Sequence, residues 1–323
     1  MKKPIIDMHC DTILRCLQGQ SLRDMEGTHI NIRKMKAGGV AVQCFALFIM
    51  TNGDGAGYGF EQKSPYDVYK ALLQVFQSQM QQNADLIHQV RSAEEILTGI
   101  REGTQMALLT MEDAAPVEEK LERFQEFYKD GVRMMTLTWN YENCIAFPNS
   151  TDAIAHNTLG LKPFGFDSLE RMNELGIRAD VSHVSARCFW DVLQLSKKPV
   201  IASHSCSRRL CDHPRNLSDD QLRALAGRGG MVGINFFYDF LEDHASPRSS
   251  IERVVQHMRH IKDVAGAETL GWGSDYDGIP GTLEWGDSAG MPILLDALSP
   301  YFTDDELDLI CWKNFVRVLK DNE

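Results

Sequence analysis

The sequence predicts an α/β protein built as a (β/α)8 (TIM) barrel, on three observations. Short apolar segments alternate along the chain with longer stretches of helical periodicity, which is the order that gives a parallel sheet. The apolar segments are rich in Val, Ile, Leu and Met, as expected for parallel strands buried on both faces. The length of 323 residues suits one such barrel. The predicted strands are Ile5–His9, Val40–Phe48, Met106–Glu112, Val132–Trp139, Ile177–His183, Val200–His204, Met231–Phe236 and Leu270–Asp275.

Helical periodicity fills the segments between these strands. In the longest stretch, Leu72, Phe76 and Leu86 lie close to helical spacing. Ser218 is a suitable N-cap, and Asp219 follows it in the first turn. The predicted helices are Tyr66–Val90, Phe166–Leu175, Ser218–Ala226, Ser250–Val264 and Asp304–Leu319. Glycines expected just past helix ends are Gly38, Gly39, Gly103, Gly131, Gly176, Gly229 and Gly230.

The chain shows no internal repeat, low-complexity tract or linker, so residues 1–323 are predicted to form a single domain. The segment Thr51–Gly59 contains four glycines and is predicted to be a mobile loop after the second strand.

Composition narrows the class of partner. The net charge of -12 argues against nucleic acid as a partner, since phosphate binding needs a basic face.

The eight cysteines include no C-x-x-C pair and favour buried thiols in a reducing compartment, although disulfides are still possible. No apolar stretch is long enough to span a membrane and no signal peptide is evident, so a cytoplasmic protein is predicted.

The first predicted strand carries an H-x-D pair at its end. His9 and Asp11 are two residues apart, so both side chains point to the same face of an extended strand. An imidazole beside a carboxylate suits zinc or another first-row divalent ion. The pair alone is a weak signal, and the alternative is an ordinary capped strand end.

Three other predicted strands also end in potential metal ligands. Glu112 closes an apolar run, where an inward-facing carboxylate needs a partner or a metal. The alternative for Glu112 is a solvated position on the rim. His183 and His204 end two consecutive strands, which favours ligands over hydrogen-bonded core histidines when the H-x-D pair is considered with them.

The last predicted strand ends in Asp275, with Asp277 on the same face of the barrel mouth. A carboxylate there can take the proton of a metal-bound water. Alternatively, Asp277 and Gly278 make a turn while Asp275 caps the next helix. Among the other histidines, His257 and His260 are predicted to face solvent on a helix. No function is predicted for His29, His88, His156, His213 or His244.

These motifs resemble the membrane dipeptidase (renal dipeptidase) family of the amidohydrolase superfamily, in its shorter bacterial form. The similarity runs from Ile6 to about Leu319. The matching segments are Asp7–Asp11, Gly131–Arg133 with Leu137–Thr138, Gly160–Gly165, His183–Ser185, Pro199–Ser205, Arg215–Leu217 and Gly273–Gly278.

The resemblance implies a metal-dependent hydrolase barrel that holds two Zn²⁺ ions and cleaves dipeptides, L,D-dipeptides among them, through a metal-bridging hydroxide. It implies that His9 and Asp11 bind one ion, that His183 and His204 bind the other, and that Glu112 bridges them. Asp275 resembles the acid/base aspartate, and Arg215 the arginine that binds the substrate carboxylate. A dipeptide is the implied partner and a homodimer the implied assembly. The net charge and the lack of a membrane-spanning stretch predict neither nucleic acid nor membrane as a partner, and the family's membrane anchor is absent from this sequence.

The sequence departs from the family at one site position. Trp139, followed by Asn140, stands where better-known members have a histidine thought to assist the tetrahedral intermediate. An indole N–H can donate a hydrogen bond but cannot carry a proton through a reaction cycle. We expect Trp139 and Asn140 to contact the substrate. A lactonase or deaminase reaction, or a metal-binding barrel without turnover, are the alternatives.

Overall fold

The structure, a computed structural model, describes residues 3–50, 55, 57–243 and 246–320. Its strands are β1 (Ile5–Cys10), β2 (Val40–Phe48), β3 (Ile87–Val90), β4 (Gln105–Glu112), β5 (Val132–Thr136), β6 (Arg178–Asp180), β7 (Ile201–Ser205), β8 (Met231–Ile234), β9 (Arg248–Ser249), β10 (Leu270–Trp272) and β11 (Thr282–Leu283). The main sheet has the parallel order β2-β1-β10-β8-β7-β6-β5-β4-β3, and β2 also pairs with β4. That pairing closes eight strands into a barrel, which confirms the predicted fold class.

The helices surround the barrel. They are α1 (Thr12–Cys16), α2 (Ile32–Gly38), α3 (Pro65–Gln82), α4 (Ala93–Glu102), α5 (Glu122–Asp130), α6 (Ala153–Thr158), α7 (Pro163–Leu175), α8 (Ala186–Leu195), α9 (Asp219–Gly227), α10 (Tyr238–Leu241), α11 (Ile251–Ala265), α12 (Met291–Leu298), α13 (Asp304–Asp308) and α14 (Asn314–Lys320). Short 3-10 turns lie at Ala115–Val117, Ala267–Thr269 and Ser288–Gly290. None of the helices in the described part of the chain is long and apolar enough to cross a membrane.

Several predicted helix ends agree with the structure. Ser218 forms a capping box with Gln221 at the start of α9, since each side chain bonds the other residue's backbone N–H. The predicted glycines at 39, 103, 131 and 176 cap their helices in the left-handed conformation. The predicted helix Asp304–Leu319 is interrupted by a π-helical turn, Leu309–Lys313, which separates α13 from α14.

The prediction of one helix over Tyr66–Val90 is wrong beyond Gln82. The helix ends at Asn83, and β3 then pairs with β4, with Ile87 and Val90 buried. Leu86 lies at helical spacing from the core positions of α3, and this hid the short strand. The predicted mobile loop Thr51–Gly59 lies largely outside the described residues.

Four of the predicted strands extend too far at their carboxyl ends. They end at Thr136, Asp180, Ile234 and Trp272, and do not reach Trp139, His183, Phe236 and Asp275. His183 and Asp275 have φ angles of 69° and 61°, so the backbone has already left the strand conformation there. All eight cysteine side chains are described and none is in a disulfide.

Candidate active site at the mouth of the barrel

The mouth of the barrel, where its parallel strands end, brings six of the predicted site residues together. His9 and His204 lie on β1 and β7, and Glu112 is the last residue of β4. His183 and Asp275 lie in the loops after β6 and β10. Asp11 directly follows β1 at the N-cap position of α1, where its side chain makes no capping hydrogen bond. All are buried except Asp275, which is partly exposed.

Glu112 lies between two groups of candidate metal ligands. Its Oε2 is 3.5 Å from His9 Nε2, which is itself 3.6 Å from Asp11 Oδ2. Its Oε1 is 2.9 Å from His183 Nε2 and 3.6 Å from His204 Nε2. The carboxylate therefore presents one oxygen to each group.

The buried nitrogen and oxygen atoms of this cluster fit a bound metal ion. His9 Nε2 and Asp11 Oδ1 are buried there without a hydrogen-bond partner. Leaving such atoms unpaired costs about 1–3 kcal/mol each. His9, Glu112 and His204 bring ligand atoms within 4.8 Å of one another, and so do His9, Asp11 and Asp275. A divalent cation would satisfy these atoms together, because imidazole and carboxylate are preferred ligands of zinc.

The electrostatics of the cluster agree with this fit. Burial raises the pKa of Glu112 to about 8, and the charge of Asp11 adds to the shift. Burial opposes charge on His9, yet Glu112 and Asp11 together raise its pKa well above the usual value. Burial lowers the pKa of His183 and of His204, so both rings are neutral near pH 7. Neutral imidazole is the form that binds metals.

Asp275 is held by a residue that the sequence analysis missed. Asn235, fully buried just after β8, donates from Nδ2 to Asp275 Oδ2 at 2.9 Å, and its Oδ1 accepts from Phe237 N. The other oxygen, Asp275 Oδ1, is 3.9 Å from His9 Nε2. Burial raises the pKa of Asp275 to about 6. A polar residue that ends an apolar strand was the signal used for Glu112, and the same signal could have found Asn235.

Asp277 has a different place from its neighbour. Its carboxylate accepts from Thr12 Oγ1 and from His29 N, both at 2.6 Å, so it ties two loops together outside the ligand cluster. The turn interpretation is therefore confirmed for Asp277, while Asp275 faces the cluster and caps no helix. Gly278 allows this close packing, because a Cβ there would lie 2.0 Å from Asp11 Oδ2.

A cavity of about 560 Å³ opens beside the cluster. Arg215 lies in its wall and is buried; Nη2 donates to His204 O at 3.3 Å, and Nε has no partner among the described residues. Burial lowers the pKa of Arg215 to about 10. The lining residues are Trp139, Asn140, Asn149, Ser150, Thr151, His183, His213, Pro214, Arg215, Phe237, Phe240, Asp275, Gly278, Ile279 and Pro280.

Trp139 and Asn140 both line this cavity. The ring of Trp139 packs against Phe48, with ring centres 4.9 Å apart, and lies 6.3 Å from the ring of His183. Asn140 Oδ1 is 3.1 Å from His183 Nδ1, so the amide oxygen accepts the hydrogen bond if that nitrogen carries the proton. Asn140 thus contacts a predicted ligand directly.

The remaining histidines are mostly outside the site. The prediction that His257 faces solvent is wrong: its ring is fully buried, with Nδ1 accepting from Ser207 N and Nε2 bonded to Leu241 O. Helical spacing alone could not show that α10 covers this face. His260 is half-buried against Asp219, and His213 lines the cavity with Nδ1 accepting from Arg215 N. His244 lies outside the described residues.

Fold and site together define a (β/α)8 barrel with a buried histidine–carboxylate cluster at its mouth. The chain belongs to the membrane dipeptidase family (Peptidase family M19), whose family model matches residues 1–323. The protein is therefore a metallo dipeptidase of that family, a hydrolase, as the resemblance of its motifs implied.

Individual relatives agree with this placement. An uncharacterized dipeptidase of Schizosaccharomyces pombe is 33% identical over 304 residues, which cover 92% of this chain and 73% of the relative. A metallo peptidase from Rhodobacter sphaeroides, solved with a phosphinate mimic of the dipeptide L-Ala-D-Ala, superposes with a TM-score of 0.92 at 24% identity over 100% of both chains. The solved dipeptidase AC gives a TM-score of 0.91 at 24% identity over 100% of this chain and 99% of that one. These structural matches show the same fold.

Proposed function

We propose that this protein is a binuclear zinc dipeptidase that hydrolyses dipeptides, L,D-dipeptides among them. The observation that carries the proposal is the position of Glu112, which presents one oxygen to His9 and the other to His183 and His204. His9 and Asp11 would hold one ion, His183 and His204 the other, and Glu112 both. Zinc at these positions would supply Lewis acidity, which polarises a peptide carbonyl and lowers the pKa of water.

The protein's own residues would orient the substrate and move the proton. Asp275 offers Oδ1 to the cluster while Asn235 holds Oδ2, so it can take a proton from the attacking water and deliver it to the departing amine. Its pKa of about 6 suits a group that changes protonation during a reaction near neutral pH. Trp139 and Asn140 would contact the substrate from the part of the cavity wall that lies beside His183.

Arg215 would select the free carboxylate of the substrate. The guanidinium is buried in the cavity wall with an unpartnered Nε, and a carboxylate is the ligand that fits its donor geometry. A substrate held at its terminal carboxylate beside the metals must be short, which supports a preference for dipeptides. The relative from Rhodobacter sphaeroides was solved with a mimic of L-Ala-D-Ala, and this supports L,D-dipeptides as substrates here. A homodimer and a cytoplasmic location stay predictions.

The proposal is tested with a panel of L,L- and L,D-dipeptides and the same dipeptides carrying a C-terminal amide. We expect zinc-loaded protein to cleave the free acids and to prefer them to the amides by at least about 10²-fold, since a buried charge pair is worth several kcal/mol. Arg215→Met should remove that preference. Arg209→Met, an exposed change in the same loop, is the matched control. A metal-loaded, folded protein that cleaves nothing in the panel would instead support the barrel without turnover, which Trp139 keeps open.

A further inference from the structure

A chain of buried polar groups lies beneath His204. Ser203 Oγ is 2.7 Å from His204 Nδ1 and also donates a short hydrogen bond to Asp180 Oδ2. Asp180, Ser203 and His204 are each no more than 1% exposed. The chain therefore runs from the barrel interior to the candidate ligand without contact with solvent.

The position of each proton in these hydrogen bonds follows from the contacts of Asp180 and Ser203. Asp180 accepts at Oδ1 from Ser182 N and Ser203 N, both at 2.9 Å, and at Oδ2 from Thr136 Oγ1 at 3.0 Å. The carboxylate is an acceptor in each of these contacts, so it also accepts the hydroxyl proton of Ser203. A hydroxyl has one proton to give. Ser203 Oγ must therefore accept at its contact with His204, and the proton of that contact belongs to Nδ1 of the imidazole.

This assignment leaves the other ring nitrogen without a proton. A neutral imidazole carries one N–H, so His204 with a proton on Nδ1 has a free lone pair on Nε2. That nitrogen lies 2.9 Å from His183 Nε2 and 3.6 Å from Glu112 Oε1. The opposite tautomer would direct an N–H into the cluster and could not bind a metal.

We infer that Ser203 and Asp180 are positioning residues that hold His204 as the Nδ1–H tautomer and thereby keep Nε2 available as a metal ligand. The inference rests on the proposed metal centre and adds two residues to it. Metal-binding histidines usually donate their second nitrogen to a carboxylate or carbonyl, and removing that partner costs about 10–100-fold in metal affinity. Here a serine hydroxyl stands between the histidine and the carboxylate.

The backbone packing around Ser203 holds these hydrogen-bonded side chains in place. A Cβ on Gly273 would lie 1.7 Å from Ser203 O, and a Cβ on Gly233 would lie 2.2 Å from the same oxygen. The backbones of β8 and of the residues after β10 therefore press directly on Ser203. Such packing leaves its backbone little room to shift when a hydrogen bond is lost.

The affinity test compares two substitutions, each of which removes one hydroxyl that donates to Asp180 Oδ2. Zinc binding would be measured by competition with a chromogenic chelator for the parent protein, Ser203→Ala and Thr136→Val. Both variants lose a hydroxyl bonded to Asp180 Oδ2, but only Ser203 contacts His204. We expect Ser203→Ala to lose about 10–100-fold in zinc affinity and Thr136→Val to stay close to the parent. An unaffected Ser203→Ala variant, or equal losses in both variants, would overturn the inference.

A second readout uses the metal-free parent protein and does not depend on the folding of the Ser203→Ala variant. Nitrogen-15 NMR of the metal-free parent reports which ring nitrogen of each histidine is protonated, and the His204→Gln spectrum assigns the relevant signal. We expect the Nδ1–H form for His204, and an Nε2–H form would overturn the inference. A parent protein that binds no zinc would contradict the metal centre itself, whereas a parent that binds zinc together with an unaffected Ser203→Ala variant would contradict only the positioning role.

Discussion

Glycines adopt left-handed backbone conformations at both ends of the barrel, but in the described chain other residues do so only at the mouth. At the amino end, where the strands begin, the left-handed helix caps are Gly39, Gly103, Gly131 and Gly176. In the described chain, the left-handed residues other than glycine are Asp113, Glu118, Glu119, His183, Asp275 and Asp277, and each follows the carboxyl end of a barrel strand. A side chain in this conformation costs about 1–2 kcal/mol. The mouth thus accepts strain where glycine could not supply a carboxylate or an imidazole.

Two buried arginines show the same contrast. Arg178, at the start of β6, donates to the carbonyl oxygens of Gly176 and Val318 at 2.8 and 3.1 Å, and to that of Leu319. Among the described residues, the side chain of Arg215, at the mouth, makes one hydrogen bond, of 3.3 Å from Nη2, while Nε has no partner. The first arginine completes the hydrogen bonding of a helix end, while the second leaves donors available for a ligand.

The largest effect is expected at the mouth, from Glu112→Gln. The amide keeps the size of the side chain but removes the charge that faces His9 and His183. We expect kcat/KM for dipeptides to fall by at least about 10²-fold, the scale seen when one electrostatic stabiliser is removed from an active site. Bound zinc per chain, measured by elemental analysis, should fall as well. Glu119→Gln, an exposed carboxylate nearby, is the control, and equal zinc content and rate in both variants would contradict the assignment.

The next effect separates the two arginines by stability. Arg178→Met leaves buried carbonyl oxygens without donors and should lower the free energy of unfolding by about 3 kcal/mol. Arg215→Met removes a buried charge with few partners and should change that free energy by less than about 1 kcal/mol. Urea unfolding of the metal-free proteins measures both. A larger loss for Arg215→Met would show that the mouth arginine also holds the fold together.

A smaller effect concerns pH. Burial raises the pKa of Glu112 to about 8 from an ordinary 4.5, so the folded metal-free protein keeps a proton that the unfolded chain loses. The stability contributed by that protonated carboxyl is therefore lost as pH rises toward 8. A zinc ion bound by Glu112 would displace that proton, so the stabilising effect of zinc should grow over the same range. The zinc-induced rise in Tm should be larger at pH 8 than at pH 6.5, and a smaller rise at pH 8 would contradict it.

The smallest effect tests the backbone contrast itself. Gly103 has a φ of 70° in open space, so Gly103→Ala should cost about 1 kcal/mol through strain alone. Glu119, exposed at the mouth with a φ of 56°, should gain up to about 1 kcal/mol on Glu119→Gly. Thermal unfolding of the two variants measures both signs. Destabilisation of similar size in each would show that Glu119 is not strained.

The fold and the ligand cluster were predictable because both depend on where apolar segments end. A charged or ionisable residue such as Glu112 or His204 closes a strand that must be buried on both faces, and parallel strands bring such ends to one place. The motif resemblance then assigned the pairs around Glu112. These features need only the order of residues along the chain.

The features that could not be predicted depend on tertiary contacts. His257 looked exposed because helical spacing does not show which residues of another helix cover it. The predicted strand ends at His183 and Asp275 lie too late because a left-handed conformation is uncommon for any residue other than glycine, and nothing in the local sequence marks the two positions that adopt it. The chain from Asp180 through Ser203 joins two neighbouring strands, and the sequence contains no signal for that pairing of side chains.

One titration decides whether the site works as proposed. Zinc would be added in known equivalents to metal-free protein, with bound zinc and the hydrolysis of L-Ala-D-Ala measured at each step. The binuclear site predicts that activity is absent without metal, appears as zinc binds and saturates at two ions per chain. Saturation at one ion, full activity in the presence of excess chelator, or a folded protein with two bound ions that cleaves no dipeptide would contradict it.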